Sequence, residues 1–169
     1  DQTSTVNMSN AVAVNTVNVN ASTLNLNKTL QMLGDAGNMA YINVLNAGSA
    51  LSAETMIIQG AIDIQYNINT SASFTMKNLQ VADYGNKLSK IGALEPMLAT
   101  GPKEMLFTLS NTDFSTAPEM LQTDFALDLS EYTLKLATTG KLSSLTQGSV
   151  IKLISSTSGQ LVNEAAGYS

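Results

Sequence analysis

Short runs in which apolar and polar residues alternate follow one another through the first half of the chain. Three of them are Val17-Asn18-Val19-Asn20, Leu24-Asn25-Leu26-Asn27 and Ile42-Asn43-Val44. Alternation with a period of two places apolar side chains on one face of a strand and polar side chains on the other. The joints between the runs are rich in Asn, Gly and Ser, which tolerate the backbone geometry of tight turns. The pattern therefore predicts many short β-strands.

Several of these runs recur at a step of 18 residues. Asn7, Asn25 and Asn43 share this step, and each stands between two apolar residues. A period of this length suits one coil of a β-solenoid, in which short strands are joined by tight turns. We expect the three asparagines to stack in one column, about 4.8 Å apart, with their amides hydrogen-bonded along the stack. Apolar pairs with the same step are Val12/Val14 with Leu30/Met32, and Met56/Ile58 with Phe74/Met76.

The predicted fold is all-β, a parallel β-helix with coils of about 18 residues and a C-terminal β-cap. With 169 residues, we expect one domain over 1–169, with regular coils in 1–81 and terminal coils or a cap in 105–169. Residues 82–104 break the pattern, because Leu88, Ile91 and Leu94 step by three and Pro96 interrupts strand pairing. We predict a loop or short helix there, bulging from the solenoid, and no helix elsewhere. A β-sandwich is the alternative fold.

Composition excludes several classes of function. Only 12% of the residues are charged, the net charge is −5, and the chain contains no His, Cys, Trp or Arg. Without His and Cys there is no ordinary zinc site and no Cys or His nucleophile-base pair. Nucleic-acid binding needs a basic surface, which an acidic chain without Arg does not offer. No apolar stretch approaches the roughly 18 residues of a membrane helix. We therefore expect no cofactor, no metal, no nucleic acid and no membrane insertion by this segment.

The Asn- and Thr-rich strands of the first half resemble the passenger regions of bacterial autotransporters and related surface proteins. So does the closing segment Leu145-Thr146-Gln147-Gly148-Ser149-Val150-Ile151-Lys152-Leu153-Ile154. The resemblance implies a right-handed parallel β-helix, secretion, and a surface or adhesive role at the outer membrane. The chain is short compared with that family, and we expect the membrane barrel that translocates such passengers to lie outside this segment. It begins at Asp1 without an initiator Met or a signal peptide, so we expect a processed chain or a piece of a longer protein.

The candidate partner-binding residues are Lys87, Lys90 and Lys103, which are gathered within the irregular segment 82–104 of an otherwise acidic protein. Irregular insertions on a regular scaffold often carry function. A host glycan or a surface protein is the expected partner, and the open ends of the solenoid could stack on one another or self-associate. The expected function is a non-enzymatic structural or adhesive segment.

The alternative function is a carbohydrate-active β-helix enzyme or a polysaccharide-binding remnant of one. Asp124 and Asp128 fall on one face of a predicted strand, and paired carboxylates could act as the acid and base of a glycosidase. Four residues along a strand separate them by about 13 Å, whereas catalytic carboxylates of glycosidases lie about 5–9.5 Å apart. We therefore interpret Asp124 and Asp128 as residues on a solvent-exposed face of a strand rather than as a catalytic pair. Asp35-Ala36-Gly37-Asn38 could offer oxygen ligands to calcium, but no repeated calcium-binding motif accompanies it.

Overall fold

The computed structural model describes residues 4–82, 84–92, 97–98, 103–109, 119–139, 147–148, 150–157, 165 and 167–168. These residues form strands and no helix, which confirms the predicted all-β class. The strands are β1 (Ser4–Met8), β2 (Val12–Val14), β3 (Thr16–Val19), β4 (Ser22–Met32), β5 (Met39–Val44), β6 (Ala50–Gln59), β7 (Asp63–Ile68), β8 (Ser73–Ala82), β9 (Asn86–Gly92), β10 (Met97–Leu98), β11 (Lys103–Leu109), β12 (Leu121–Thr123), β13 (Tyr132–Thr138), β14 (Ile154–Ser156) and β15 (Gly167–Tyr168).

The strands form two sheets, and the chain passes back and forth between them. Sheet A has nine strands in the order β1-β4-β6-β8-β11-β13-β15, with β2 beside β4 and β10 beside β8. Sheet B has six strands in the order β14-β12-β9-β7-β5-β3. Every pairing among the described strands is parallel, and each coil adds a strand to both sheets. The parallel strands stack as a β-solenoid, as the sequence predicted.

The spacing between coils differs from the predicted 18 residues after the first coil. Asn25 pairs with Asn7 at that step, but it pairs on its other side with Ser52, 27 residues later. Asn43 lies in sheet B, where it pairs with Asn18 and Asn67. The predicted column is therefore confirmed for Asn7 and Asn25, whose side-chain amides are hydrogen-bonded at 2.8 Å, and wrong for Asn43. The predicted match of Met56/Ile58 with Phe74/Met76 is also wrong, because Met56 and Ile58 pair with Leu79 and Val81. That of Val12/Val14 with Leu30/Met32 is confirmed.

The inward side chains of both sheets form one apolar core. In the long strands of sheet A the alternation shifts once, so that Ala53 and Met56 are both buried although three positions separate them. The shift occurs at the exposed Glu54, which forms an ion pair of 3.2 Å with Lys77 of the next coil. Large, fully buried side chains include Leu30, Met32, Ile42, Met56, Ile58, Ile64, Tyr66, Phe74 and Phe107. The shift lets one long strand supply two separate inward-facing segments to the core.

The described part of 82–104 belongs to the stack, which corrects the prediction of a loop or helix. β9 (Asn86–Gly92) lies in sheet B between β7 and β12. Its inward positions include Asn86, which is fully buried and hydrogen-bonded: its side chain accepts from the backbone of Ile62 and donates to the carbonyl of Ala82. Leu94 and Pro96 lie outside the described residues. From Lys103 onward, β11 to β15 continue the same two sheets as terminal coils.

Candidate functional site

The outward-facing side of sheet B presents a regular polar surface. On β5, Ala40, Ile42 and Val44 are buried, so the residues between them face outward. The same alternation holds on the neighbouring strands β3, β7 and the first half of β9. We call the outward residues of these four strands the sheet B face. They are Thr16, Asn18, Met39, Tyr41, Asn43, Asp63, Gln65, Asn67, Lys87 and Ser89.

One column of this face consists of asparagines. The side-chain nitrogen of Asn43 donates to the side-chain oxygen of Asn18 at 2.7 Å, and Asn67 follows in register on β7. At the end of the same strands, Asn46 donates to Asn20 at 2.5 Å. Amide ladders of this kind hold each side chain in one orientation without like-charge repulsion between coils. The column therefore gives the face fixed donors and acceptors.

A second column of the face contains Tyr41, with Thr16 before it and Gln65 after it in register. Gln65 is held by Asp63, whose carboxylate accepts from the Gln65 amide at 2.6 Å and from the Ser89 hydroxyl at 2.9 Å. Asp63 and Lys87 are the only charged residues of the face, and they are register neighbours. The face is therefore close to neutral, with one aromatic side chain among oriented amides.

The three predicted lysines do not come together on one surface. Lys87 is exposed on the sheet B face, whereas Lys90 stands three positions along β9 and pairs in register with the buried Tyr66. Lys103 begins β11 in sheet A, where its side chain is only 10% exposed. Its ammonium pairs with Glu131 and lies 5.5 Å from the centroid of the Tyr132 ring. Of the three residues, Lys87 alone belongs to the face described above.

The candidate carboxylates have structural contacts. Asp124 accepts a hydrogen bond from the backbone nitrogen of Lys90 at 2.5 Å. Asp128 accepts from the backbone nitrogen of Ser130 at 2.8 Å, and Asp35 accepts from those of Gly37 and Met39. The bonds of Asp128 and Asp35 are the local ones with which short acidic side chains fix turns, whereas that of Asp124 links two coils. No group of three or more acidic residues within the described part of the chain is placed to hold a metal ion.

Several contacts lower the pKa of the Glu119 carboxyl. Its side chain accepts from Ser155 at 2.7 Å and from Gln122 at 2.6 Å, and Lys152 lies 3.7 Å away. The hydrogen bond from Ser155 is the largest cause that lowers the pKa of Glu119, followed by its own backbone nitrogen, Gln122 and Lys152. Glu119 lines a depression of about 200 Å³ that also contacts Lys87. Its bonds join β14 to the segment around β12, which indicates a structural role.

A groove on the outside of sheet A was not foreseen from the sequence. It has a volume of about 500 Å³ and crosses several coils at the ends of the long strands. Its lining contains amides, hydroxyls and aliphatic groups from Ile57, Gln59, Gln80, Val81, Ala82, Thr108 and Thr139. No charged side chain of the described residues lines it. Only the register of the coils could have revealed it, because its members are widely separated in the sequence.

Two of the tyrosines belong to the core. Tyr66 and Tyr132 are buried, and neither hydroxyl has a hydrogen-bond partner. Burial raises the pKa of Tyr66 well above its ordinary value, and the negative charge of Asp124 adds to this. Burial likewise raises the pKa of Tyr132, with smaller contributions from Glu131 and Asp128. Neither ring is available to an external ligand.

Comparisons of the chain with models of protein families, with characterised proteins and with solved structures found no match. Within the described residues, no helix is long and apolar enough to cross a membrane.

Proposed function

We propose that this chain is a non-enzymatic structural or adhesive segment of a secreted surface protein, and that it binds an extended partner along the sheet B face. The observation that carries the proposal is the column of Asn18, Asn43 and Asn67, which repeats one polar group at the spacing of the coils. Repetitive surfaces on a stack of coils suit extended partners.

The chemistry of the face supports recognition rather than catalysis. The carboxylate of Asp63 is engaged by Gln65 and Ser89, so its visible role is to orient neighbours. Catalysis by acid and base needs a titratable group placed against a reacting atom, often with a perturbed pKa. Amides and hydroxyls instead supply hydrogen bonds of both polarities to a partner without a change of protonation.

The open end of the solenoid supports the structural part of the proposal. β1 and β3 end the order of described strands in their sheets, and all residues of β1 are exposed. Val6 is 49% exposed there, and the sequence from Gln2 to Asn27 contains no charged residue. Natural sheet edges are commonly protected by charges. An unprotected edge is suited to stacking against another coil, from a neighbouring chain or from the same protein.

A binding assay with face-specific variants tests the proposal. The purified chain is labelled and its binding to immobilised glycans and to host cells is measured for wild type, Asn43→Lys and Gln80→Lys. The first change puts a charge into the asparagine column, and the second puts the same charge on the outside of sheet A. We expect Asn43→Lys to lose binding and Gln80→Lys to keep it. Absence of binding by wild type, or loss with Gln80→Lys alone, would contradict the proposal.

A further inference from the structure

Among the described residues, Tyr41 is the one tyrosine that is partly buried within a strand, since the partly buried Tyr84 lies outside the strands and packs against the apolar core. Tyr66 and Tyr132 are buried, and Tyr168 stands 74% exposed on the short β15. Tyr41 is half-buried in the middle of β5, with Thr16 and Gln65 beside it in register on the neighbouring strands. Its hydroxyl has no hydrogen-bond partner among the described residues. A partly exposed ring with a free hydroxyl, set in a rigid strand, offers one apolar and one polar contact to a ligand.

The neighbours of Tyr41 define the ligand that would fit. Met39 lies two positions before it on the same face and extends the apolar area, while Asn43 lies two positions after it. Gln65 flanks the ring in the next coil and is held there by Asp63. One half of this arrangement is apolar, and the other carries oriented amide groups with both donors and acceptors. A sugar ring has a matching division, with C–H bonds on its flat faces and hydroxyls around its edge.

The charges around Tyr41 favour a neutral sugar over an anionic one. Asp63 and Lys87 are in neighbouring strands and offset each other, while the whole chain carries a net charge of −5. An anionic glycan would gain nothing from this balance and would be repelled by the overall field. Successive strands of the sheet lie about 4.8 Å apart, so polar groups repeat across the coils and can follow a chain of sugar units.

We infer that Tyr41 is the stacking platform of a subsite for a neutral sugar residue within an extended glycan, with Asn43 and Gln65 binding its hydroxyls. This inference rests on the proposed function, because it assigns a ligand class and a central residue to the sheet B face. The aromatic ring supplies the apolar contact, and the amides held by Asn18 and Asp63 supply directional hydrogen bonds. Groups fixed in advance lose little freedom on binding, which favours affinity.

Affinity gel electrophoresis and titration calorimetry with soluble polysaccharides test the inference. The probes are a neutral β-glucan, a galactomannan and a dextran, with polygalacturonate as the anionic comparison. The variants are Tyr41→Ala and Tyr41→Phe, with Tyr168→Ala as the matched control on a different surface. Circular dichroism and melting temperature establish that each variant is folded.

We expect wild type to bind at least one neutral polysaccharide more tightly than polygalacturonate. Tyr41→Ala should weaken that binding about tenfold or more, since truncation of a central aromatic contact commonly has this effect. Tyr41→Phe should keep most of the affinity, and Tyr168→Ala all of it. The chain contains no Trp, so its intrinsic fluorescence comes from tyrosine and should change on binding in wild type but not in Tyr41→Phe.

Three results would overturn the inference. They are equal binding by folded Tyr41→Ala and wild type, a preference for polygalacturonate, and no binding to any neutral probe. The last two leave the proposed function standing if Asn43→Lys still abolishes adhesion to cells, because the partner on the sheet B face is then of another class. If neither Asn43→Lys nor Tyr41→Ala affects any binding, both the inference and the proposed function are wrong.

Discussion

The side-chain nitrogen of Asn43 donates a hydrogen bond of 2.7 Å to the side-chain oxygen of Asn18, which lies 25 residues earlier. The bond joins β3 to β5 on the outside of sheet B, and Asn67 continues the column on β7. Because the strands are parallel and in register, one polar position recurs on the same face of each successive coil. This relationship makes the outer surface regular enough to serve as a binding face.

Core and surface positions of β4 should respond differently to a new charge. Leu26 is 2% exposed, whereas the adjacent Asn27 is exposed where the register with β6 shifts. Leu26→Asp should lower the free energy of unfolding by about 3 kcal/mol or more, because it buries an unpaired carboxylate. Asn27→Asp should change it by less than about 0.5 kcal/mol. Urea unfolding measures both, and equal losses for the two variants would show that the faces are wrongly assigned.

Removal of the Tyr66 hydroxyl should stabilise the protein. This hydroxyl is fully buried without a partner, so folding removes it from water without a replacement hydrogen bond. Tyr66→Phe keeps the ring and its contact with Phe74, and should raise the free energy of unfolding by about 1 kcal/mol. Tyr168→Phe, at an exposed position, is the control and should have no effect. A lower melting temperature for Tyr66→Phe would mean that the hydroxyl is bonded in solution.

The same residue predicts a response to alkaline pH. The pKa of Tyr66 is raised in the folded state above its ordinary value of 10.0, because burial opposes the phenolate. Below the unfolded pKa the phenol is neutral in both states, and as pH rises from there through the folded pKa the protein loses stability because the unfolded chain ionises first. Wild type should therefore lose stability above about pH 10 more steeply than Tyr66→Phe. Parallel pH profiles of the two proteins would contradict this.

Glu119 should contribute stability at neutral pH that is lost in acid. The hydrogen bond from Ser155 and the other contacts lower its folded pKa below the ordinary value of 4.5. A lowered folded pKa stabilises the protein above the unfolded pKa, and the contribution disappears as pH falls through the folded pKa. Glu119→Gln should cost about 1 kcal/mol at pH 7, with the difference from wild type shrinking below pH 4.5. Glu54→Gln, in the exposed ion pair with Lys77, should cost less. Equal costs at pH 7 and pH 3 for Glu119→Gln would refute the assignment.

The solenoid fold could be predicted from the sequence because its strands alternate so regularly. The coil length could not be predicted, because a strand with the pattern apolar-Asn-apolar can belong to either sheet and the sequence does not show which. The step of 18 is correct where the turns are short, as at Ala21, whose positive φ of 49° closes the link between β3 and β4. The next coil has longer turns, at 33–38 and 45–49, and its register step rises accordingly. Turn length, rather than strand pattern, sets the period.

β9 was missed because its inward positions are not uniformly apolar. Asn86 is buried with both ends of its amide bonded, and Leu88 is its buried neighbour two positions on. The sequence thus shows Leu88 and Ile91 at a helical step, although β7 and β12 hold the segment as a strand. Likewise, the sequence showed Lys87, Lys90 and Lys103 close together along the chain. Strand alternation and the change of sheet separate them, so proximity in sequence does not become proximity in space.

Nuclear Overhauser contacts among the asparagine side chains, recorded on isotope-labelled protein, test the sheet B face most directly. The sheet B face exists only if Asn18, Asn43 and Asn67 share one column. The structure predicts contacts from Asn43 to both Asn18 and Asn67, and from Asn25 to Asn7, with none between Asn25 and Asn43. A contact between Asn25 and Asn43 would restore the 18-residue step and would contradict the binding face.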